Sequence, residues 1–509
     1  SAAIYGAAAG NGVILITPKK GKVGQGTISY DFQMSVQNIA RVPKVLNSEE
    51  YISYMTEANY ISMDKFNETW DFHTNTDWSK EAFEPSIMQK HNLALQGGND
   101  NGTYFLSLSY LDNNGYVVGD ADVYKRLTAT INADYNIKKW LQVGTNNQIE
   151  YYTRKAVAEG SEYGSLLTSV LQLDPLTPVK YAPDNLPEHM QTMVNAGKNY
   201  LKDKDGNYYS TSAYLETECY NPFIMRDKSQ STSSGYNING VVYANLKPVK
   251  GLVITSRLGY RLSAAKSYTV NNDFYVNSTI NQNYMSVNAS ASTPIYLQWE
   301  NFANYMHSFG KHNLTAMIGS SYIENTSFGV SGSVTGGDGD FGFKKDDPRY
   351  AYFAYATATA IKSVSGGEEL KGRKLAYFGR LNYDYEGKYM AQFSLRADAA
   401  DTSVLPVSKR WGYFPAASLG WTVSQEDFMK NSSRWLSHLK LRGSWGQNGT
   451  TSSLGSYSYL SSIGSGLSYP YTNDMTYEIG SMPSSTGNNE LKWETSEQLD
   501  NVFGNRRRC

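Results

Sequence analysis

The feature that most restricts how this chain can fold is the rhythm of its connections. Fourteen segments of roughly ten residues carry period-two patterning, an apolar or aromatic stripe on one face and polar residues on the other. They lie near 26–38, 90–97, 102–112, 123–135, 139–152, 234–246, 251–263, 296–308, 312–324, 373–385, 388–398, 412–424, 436–447 and 491–502. Tyr104, Leu106, Leu108 and Tyr110 oppose Ser107 and Ser109; Leu252, Ile254, Leu258 and Tyr260 oppose Thr255, Arg257 and Arg261. Tight turns at Gly98–Asn101, Asn136–Lys138, Lys247–Lys250, Phe309–Lys311 and Glu386–Gly387, with a medium one at Asp427–Trp435, alternate with long polar stretches at 39–89, 153–233, 264–295, 325–372, 399–411 and 448–490. A sandwich has no reason to gather its long loops at one end and its short turns at the other. A membrane barrel does, since its turns on one side are short and its loops on the other long. Closing the sheet also pairs the edges that an open sheet leaves bare. The expected class is all-β, a transmembrane antiparallel β-barrel.

Composition fits a wall that is greasy on one side only. With 40% hydrophobic residues, a mean hydropathy of −0.49 and no apolar run near ~18 residues, a helical membrane protein is excluded and a strand-crossing one is not. The 41 tyrosines outnumber 18 phenylalanines and 9 tryptophans together, as suits surfaces apolar at one end and wet at the other. Lysines and arginines (46) balance acids (47), so overall charge gives no reason to expect nucleic acid or an anionic membrane surface as the main partner. Two cysteines, Cys219 and Cys509, exclude a disulfide scaffold and a cysteine-based zinc site. The chain opens on Ser1-Ala2-Ala3-Ile4-Tyr5 without an initiator Met or a readable targeting segment. Its last residues, Arg506-Arg507-Arg508-Cys509, continue no periodicity. The expectation for 506–509 is a truncated or frame-shifted end, with a natural basic tail as the alternative.

Several stretches resemble one family, the SusC/RagA type of TonB-dependent outer-membrane transporter of Bacteroidetes-like bacteria. Ser1–Gly6 followed by Gly10-Asn11-Gly12-Val13-Ile14-Leu15-Ile16-Thr17 and Lys19-Lys20-Gly21 is similar to the end of that family's plug domain; from the residues alone, 13–17 reads as a buried strand. Arg410–Pro415 with Ser418–Trp421, Leu439–Gly449 and Leu491–Gln498 follow in the family's order. Weaker echoes are Lys247–Leu252 and Tyr377–Tyr383; Pro18, where a Thr is usual, and Ala399-Ala400-Asp401-Thr402 depart from the pattern. The resemblance implies a barrel of about 22 strands, of which about 14 are present. It divides the chain into 1–24 (end of the plug), 25–505 (N-terminal part of the barrel with long extracellular loops) and 506–509 (tail). It also implies a function for the full-length parent: import of oligosaccharides or oligopeptides under a SusD-like surface lipoprotein. The TonB–ExbB–ExbD complex, engaged by an N-terminal part not present here, would drive it. The setting would be outer-membrane lipid in a Gram-negative cell, with no cofactor. A siderophore or cobalamin receptor is the alternative within transport, and a β-scaffold surface hydrolase the alternative outside it.

For an enzyme, the sequence offers no convergent polar set. The six histidines (His73, His91, His189, His307, His312, His438) form no metal spacing, and no GxSxG precedes a helix. Gly332–Gly342, with Asp338 and Asp340, reads as a flexible loop between strands. Asp203-Lys204-Asp205-Gly206-Asn207 is similar to a calcium loop but has Tyr208 and Tyr214 where glycine and glutamate are required, so it reads as a polar turn. Arg257, Arg261, Arg380, Arg396 and Arg442 all fall opposite the apolar stripe and are the candidate lumen-lining residues. They either guide an anionic or sugar-like solute or, the commoner arrangement, pair with lumen acids such as Asp384 or with plug carboxylates. Loop aromatics Trp70, Trp78, Tyr208, Tyr209, Tyr469 and Tyr471 either stack on solute or pack the loops.

Overall fold

A computed structural model of the chain describes residues 4, 6, 13–158, 164–215, 219–337, 341–345, 347–429, 436–470 and 477–507. Period-two patterning becomes one antiparallel sheet of 15 strands. In chain order these are β1 Gly24–Gln37, β2 Ser86–Asn99, β3 Gly102–Asn114, β4 Val123–Lys138, β5 Leu141–Ala156, β6 Ser229–Leu246, β7 Leu252–Asn271, β8 Ser286–Ser292, β9 Ile295–Phe309, β10 His312–Thr335, β11 Ile361–Tyr385, β12 Tyr389–Ala399, β13 Trp411–Trp421, β14 Leu436–Thr450 and β15 Glu494–Arg507. Neighbours in the chain are neighbours in the sheet. Strands β8 and β9 share one place: both pair with β7 and with β10, in one continuous register, interrupted only at Thr293–Pro294. Pro294 has no N–H to give the ladder, but its carbonyl still accepts from Ser263 N at 3.1 Å. The fifteen strands therefore fill fourteen wall positions, matching the fourteen expected segments. Edge strands β1 and β15 each pair on one side only among the described residues.

Several strands outrun their expected ends. Strands β10 and β11 hold 24 and 25 residues, whereas a tilted strand crosses a bilayer with roughly 9–11. Residues 229–233, 264–271, 286–292, 325–335 and 361–372 belong to the wall rather than to loops. Gly332 and its neighbours to Thr335 are thus strand, not flexible loop; Asp338 and Asp340 lie outside the described residues. Arg506 and Arg507, expected as tail, continue the β15 backbone in register with β14; Arg508 and Cys509 are outside the described residues. Four of the five tight turns appear where the spacing put them; the fifth lies at Lys139–Trp140, with Asn136–Lys138 still strand, and most of the medium connection Asp427–Trp435 is outside the described residues. Left-handed backbone at Gly251, Gly310 and Gly387 (φ +87°, +57° and +67°) explains the glycine in three of the turns.

Register fixes the two faces. Along the row Tyr110, Leu127, Tyr151 and Tyr236, each residue is the direct cross-strand partner of the next. Apolar side chains on this face stay exposed: Ile318 by 71%, Leu419 by 69%, Trp299 by 53%. A continuous exposed apolar surface of this kind marks an interface with something apolar. Among the described residues no helix is long and apolar enough to cross a membrane, a criterion that does not address strands.

Most dry cores sit in the loops, while one packs Val270, Val287 and Val334 at the ends of β7, β8 and β10 against Phe343 and Ala351. Among the described residues six short helices, α1 Ser48–Glu57, α2 Met63–Thr69, α3 Trp78–Ala82, α4 Leu166–Gln172, α5 Glu188–Asn195 and α6 Pro222–Asp227, fold the connections after β1 and β5 against each other. Trp78, Ala82, Val170, Leu173 and Cys219 form one cluster, and Tyr209, Ile224, Phe274, Val276 and Ile280 another. Start signals for five of these helices stand in the sequence: Asn47 and Glu50 close a capping box on α1, and Ser62, Asp77, Ser165 and Asn221 cap α2, α3, α4 and α6; α5 follows Pro187 with no side-chain cap.

Candidate functional site

All five candidate arginines lie on the polar face, and the structure separates their surroundings. Arg396 and Asp398 alternate along β12, so their side chains share one face. The Arg396 Nε donates to both Asp398 carboxylate oxygens at 3.0 and 2.9 Å, and its Nη1 donates to the Ile4 carbonyl at 3.0 Å. Both residues are 8% exposed, with the guanidinium over the Phe378 ring at 5.4 Å. Arg257 faces Glu300 across β7 and β9, its Nε 2.5 Å from Oε2. Arg261 lies over the ring of its direct cross-strand partner Tyr296. Arg380 has a buried Nε with no hydrogen-bond partner among the described residues. Arg442 is exposed, opposite Gly420 and Val502.

The acids that serve these arginines are Glu300 and Asp398, not Asp384. Asp384 stands at the tight turn and accepts from Asn313 Nδ2 and Gly387 N, both at 3.1 Å, so it holds the turn instead. Asp398 was legible in the sequence as the i+2 neighbour of Arg396, as Glu300 was not: its pairing needs the register.

The segment before β1 is held against the same face. Lys20 Nζ lies 3.0 Å from Asp134 Oδ2, the Tyr243 hydroxyl donates to Asp134, and Asn132 Nδ2 donates to the Lys19 carbonyl at 2.7 Å. Asn132 and Asp134 were already on the polar side of their segment; that they meet residues 19 and 20 was not readable. One expectation fails here. Residues 13–17 form no strand, and Ile14, Leu15 and Ile16 are 91, 78 and 82% exposed. An apolar run becomes a buried strand only beside a partner, and none of the described residues supplies one.

Loop aromatics mostly pack the loops. Trp78 is 1% exposed with its Nε1 donating to the Asp174 carbonyl at 2.9 Å; Tyr209 is buried and donates to Asp227 at 2.7 Å. Trp70 packs on Phe72 and bonds the Thr74 carbonyl, and Tyr208 carries the Lys202 ammonium 4.3 Å from its ring centre. Tyr471, and Tyr469 as a side chain, lie outside the described residues. The Asp203 turn is self-contained: its carboxylate takes Lys180 Nζ at 2.6 Å and the N–H groups of Asp205 and Asn207 at 2.9 Å. Desolvation opposes the charge there, but the Lys180 and Asn207 bonds win and hold Asp203 well below the usual carboxylate range. Among the described residues no three His, Cys, Asp or Glu side chains gather as a metal-binding group. Burial, followed by the charge of Asp174, pushes the Cys219 thiol up to about 12, so it behaves as a small apolar core residue.

Asp174 offers a pH handle on this loop core. Burial raises its carboxyl above the usual value, against bonds from Ser212, Thr177 and the Leu176 N–H that favour the ionised form. The folded loops then bind the proton more tightly than the unfolded chain, so loop stability is highest below the ordinary carboxylate range and falls as pH rises through the elevated value. Hydrogen exchange in residues 164–215 should quicken from pH 4 to pH 8 beyond the chemical exchange trend. Asp174→Asn should flatten that dependence.

No protein-family model matches the chain. Among curated proteins it is similar to TonB-dependent receptor P3 of Formosa agariphila, 26% identical over 510 residues covering 98% of this chain and 45% of that protein. It is also similar to TonB-dependent receptor SusC of Bacteroides thetaiotaomicron, 28% identical over 509 residues covering 97% of this chain and 46% of that one. The chain thus spans about half the length of the curated relatives it matches. Among solved structures, one of the RagAB peptide transporter superposes with a TM-score of 0.79 at 20% identity over 99% of this chain and 55% of that chain. The RagAB peptide importer in a "closed-closed" state gives 0.76 at 21%, with the same coverage.

Proposed function

We propose that this chain, a portion of a TonB-dependent receptor of the SusC/RagA type, forms part of the wall of a nutrient-import channel in the outer membrane. In this reading residues 1–24 end the plug, residues 25–505 begin the barrel, and the full-length parent imports oligosaccharides or oligopeptides beneath a SusD-like lipoprotein. TonB, powered from the inner membrane, would displace the plug; no bond is made or broken in the solute. The observation that carries this reading is the placement of the N-terminal segment. It is tied to the polar face at two distant places, Arg396–Ile4 and Asp134–Lys20, as a removable stopper inside a wall must be. These contacts are polar, and the Lys20 pair is partly wet, with side-chain exposures of 49% and 16%, so they are breakable without dismantling the wall.

Deletion of the full-length gene tests it. Uptake of one labelled class, oligosaccharide or oligopeptide, should be lost, return with the wild-type gene, and depend on the proton gradient. Unchanged growth and uptake on every glycan and peptide source would refute the assignment.

A further inference from the structure

Beyond the apolar band the wall treats its two sides differently. On the outward side of the extended strands, Val270, Val287 and Val334 pack dry against Phe343 and Ala351 of the connection between β10 and β11. The inward side is left uncovered, and register aligns its side chains into rows. Ser231, Thr269, Asn288, Ser333 and Ser363 form one, each directly opposite the next. Two residues along each strand, Ser233, Ser267, Ser290, Ser331 and Ser365 form the other. Every inward position in these rows, across β6, β7, β8, β10 and β11, is therefore Ser, Thr or Asn.

These groups bond to one another across the strands: Ser231 with Thr269 at 3.1 Å, Ser267 with Ser290 at 2.7 Å, and Ser331 with Ser365 at 2.7 Å. A hydroxyl both donates and accepts, so each keeps bonding capacity to spare. Asn288, Ser290, Ser363 and Ser365 are exposed, and the rows line a hollow of about 210 Å³. No charged side chain stands in either row from β6 to β11; the first is Arg154 of β5, opposite Ser233. Tyr124 faces Arg154, and its ring lies 6.3 Å from that of Tyr152. Tyr152 in turn faces Gly235, where an added Cβ would come 3.0 Å from the phenol oxygen. On β5, Gly144 faces Asp134 while Arg154 faces Ser233. The array thus stands on the long-loop side of the level at which Lys20 is tied to Asp134.

We infer that this inward array is a transit subsite for an uncharged oligosaccharide. The inference rests on the import reading above and narrows its solute. Sugar hydroxyls donate and accept as the wall groups do, and strands about 4.8 Å apart present those partners as a lattice rather than at one point. Many weak bonds, none dominant, let a solute enter and leave. Tyr124 and Tyr152 at the margin offer an apolar surface to the flat side of a sugar ring. A sulfated or uronate-bearing glycan would have to strip water from its charges against groups that carry none. An extended peptide docks on a free strand edge and fills side-chain pockets. Here β7, β8 and β10, which carry the middle of the array, are paired on both sides, and the rows offer no apolar pocket.

The test uses cells with the full-length gene intact, deleted or varied, offered labelled pools of matched size: uncharged oligosaccharides, oligosaccharides bearing uronate or sulfate, and oligopeptides. Gene-dependent uptake should favour the uncharged pool by at least about tenfold over either other pool. Thr269→Val with Ser290→Ala and Ser331→Ala removes three hydroxyls and should cut that uptake at least about fivefold. Ser267→Asp with Ser331→Asp should abolish it, while Ser53→Ala in α1 leaves it unchanged. The heat-modifiable band on gels identifies the variants that fold, and the wild-type comparison decides without any variant. Gene-dependent uptake of the charged or the peptide pool overturns the inference and leaves the import reading standing. Uncharged-pool uptake untouched in a folded variant overturns the subsite. If deletion changes uptake of none of the pools, the import reading falls and this inference with it.

Discussion

Asp398→Ala, made in the full-length receptor, should lower stability by about 3–5 kcal/mol, because it strands the Arg396 guanidinium in a site only 8% exposed. Asp398 is the sole carboxylate within ion-pair distance of Arg396 among the described residues. Its loss leaves only the Ile4 carbonyl and the Phe378 face for the cation. Removing both charges together, Arg396→Met with Asp398→Ala, should recover most of the loss, since a neutral pair incurs no desolvation cost. The double variant should nonetheless hold the N-terminal segment less tightly, having no donor for Ile4. Thermal loss of the compact, heat-modifiable form on gels reads the first effect, and protease access to the segment before β1 reads the second. If the single variant is as stable as wild type, the ion pair is not a structural tie.

Trp78→Ala should cost a similar amount, about 3–5 kcal/mol, but in a different place. Trp78 is 1% exposed at the centre of the cluster joining α3 to α4, and its indole N–H satisfies the Asp174 carbonyl. The wall shares few of these contacts, so the loops should open while the strands persist. Hydrogen exchange should rise across 48–85 and 164–215 and stay unchanged in β9 to β12. A uniform rise over both regions would mean that loops and wall fold as one unit.

The contrast between these two sites mirrors what the sequence discloses. Strand positions were readable because a wall between lipid and water imposes alternation on every residue, and a one-residue slip would invert both faces. Alternation faded where the wall leaves the apolar band. Ser286–Ser292, reading SVNASAS, has small residues on both faces, and 361–372 mixes serine, glycine and charge, so both looked like loop. The polar face of the candidate arginines was legible from parity alone. Their partners were not, because Arg257 meets Glu300 only through the β7–β9 register. All the loop helices but α5 had visible caps, but short helices of five to ten residues carry too few turns for a periodic signal. The apolar run at 13–17 misled because a strand is made by its neighbours as much as by its own residues.

The central claim is that the Tyr- and Leu-bearing face meets lipid while the arginine-bearing face meets water. Single cysteines placed in turn from Ile254 to Ala264 of β7 in the full-length receptor, labelled with a fluorophore and reconstituted with brominated lipid, test it residue by residue. Quenching should alternate, strong at 254, 256, 258, 260, 262 and 264 and weak between them, where a water-soluble quencher should act instead. Lipid quenching without a period of two, or strong at Arg257 and Arg261, would contradict the account.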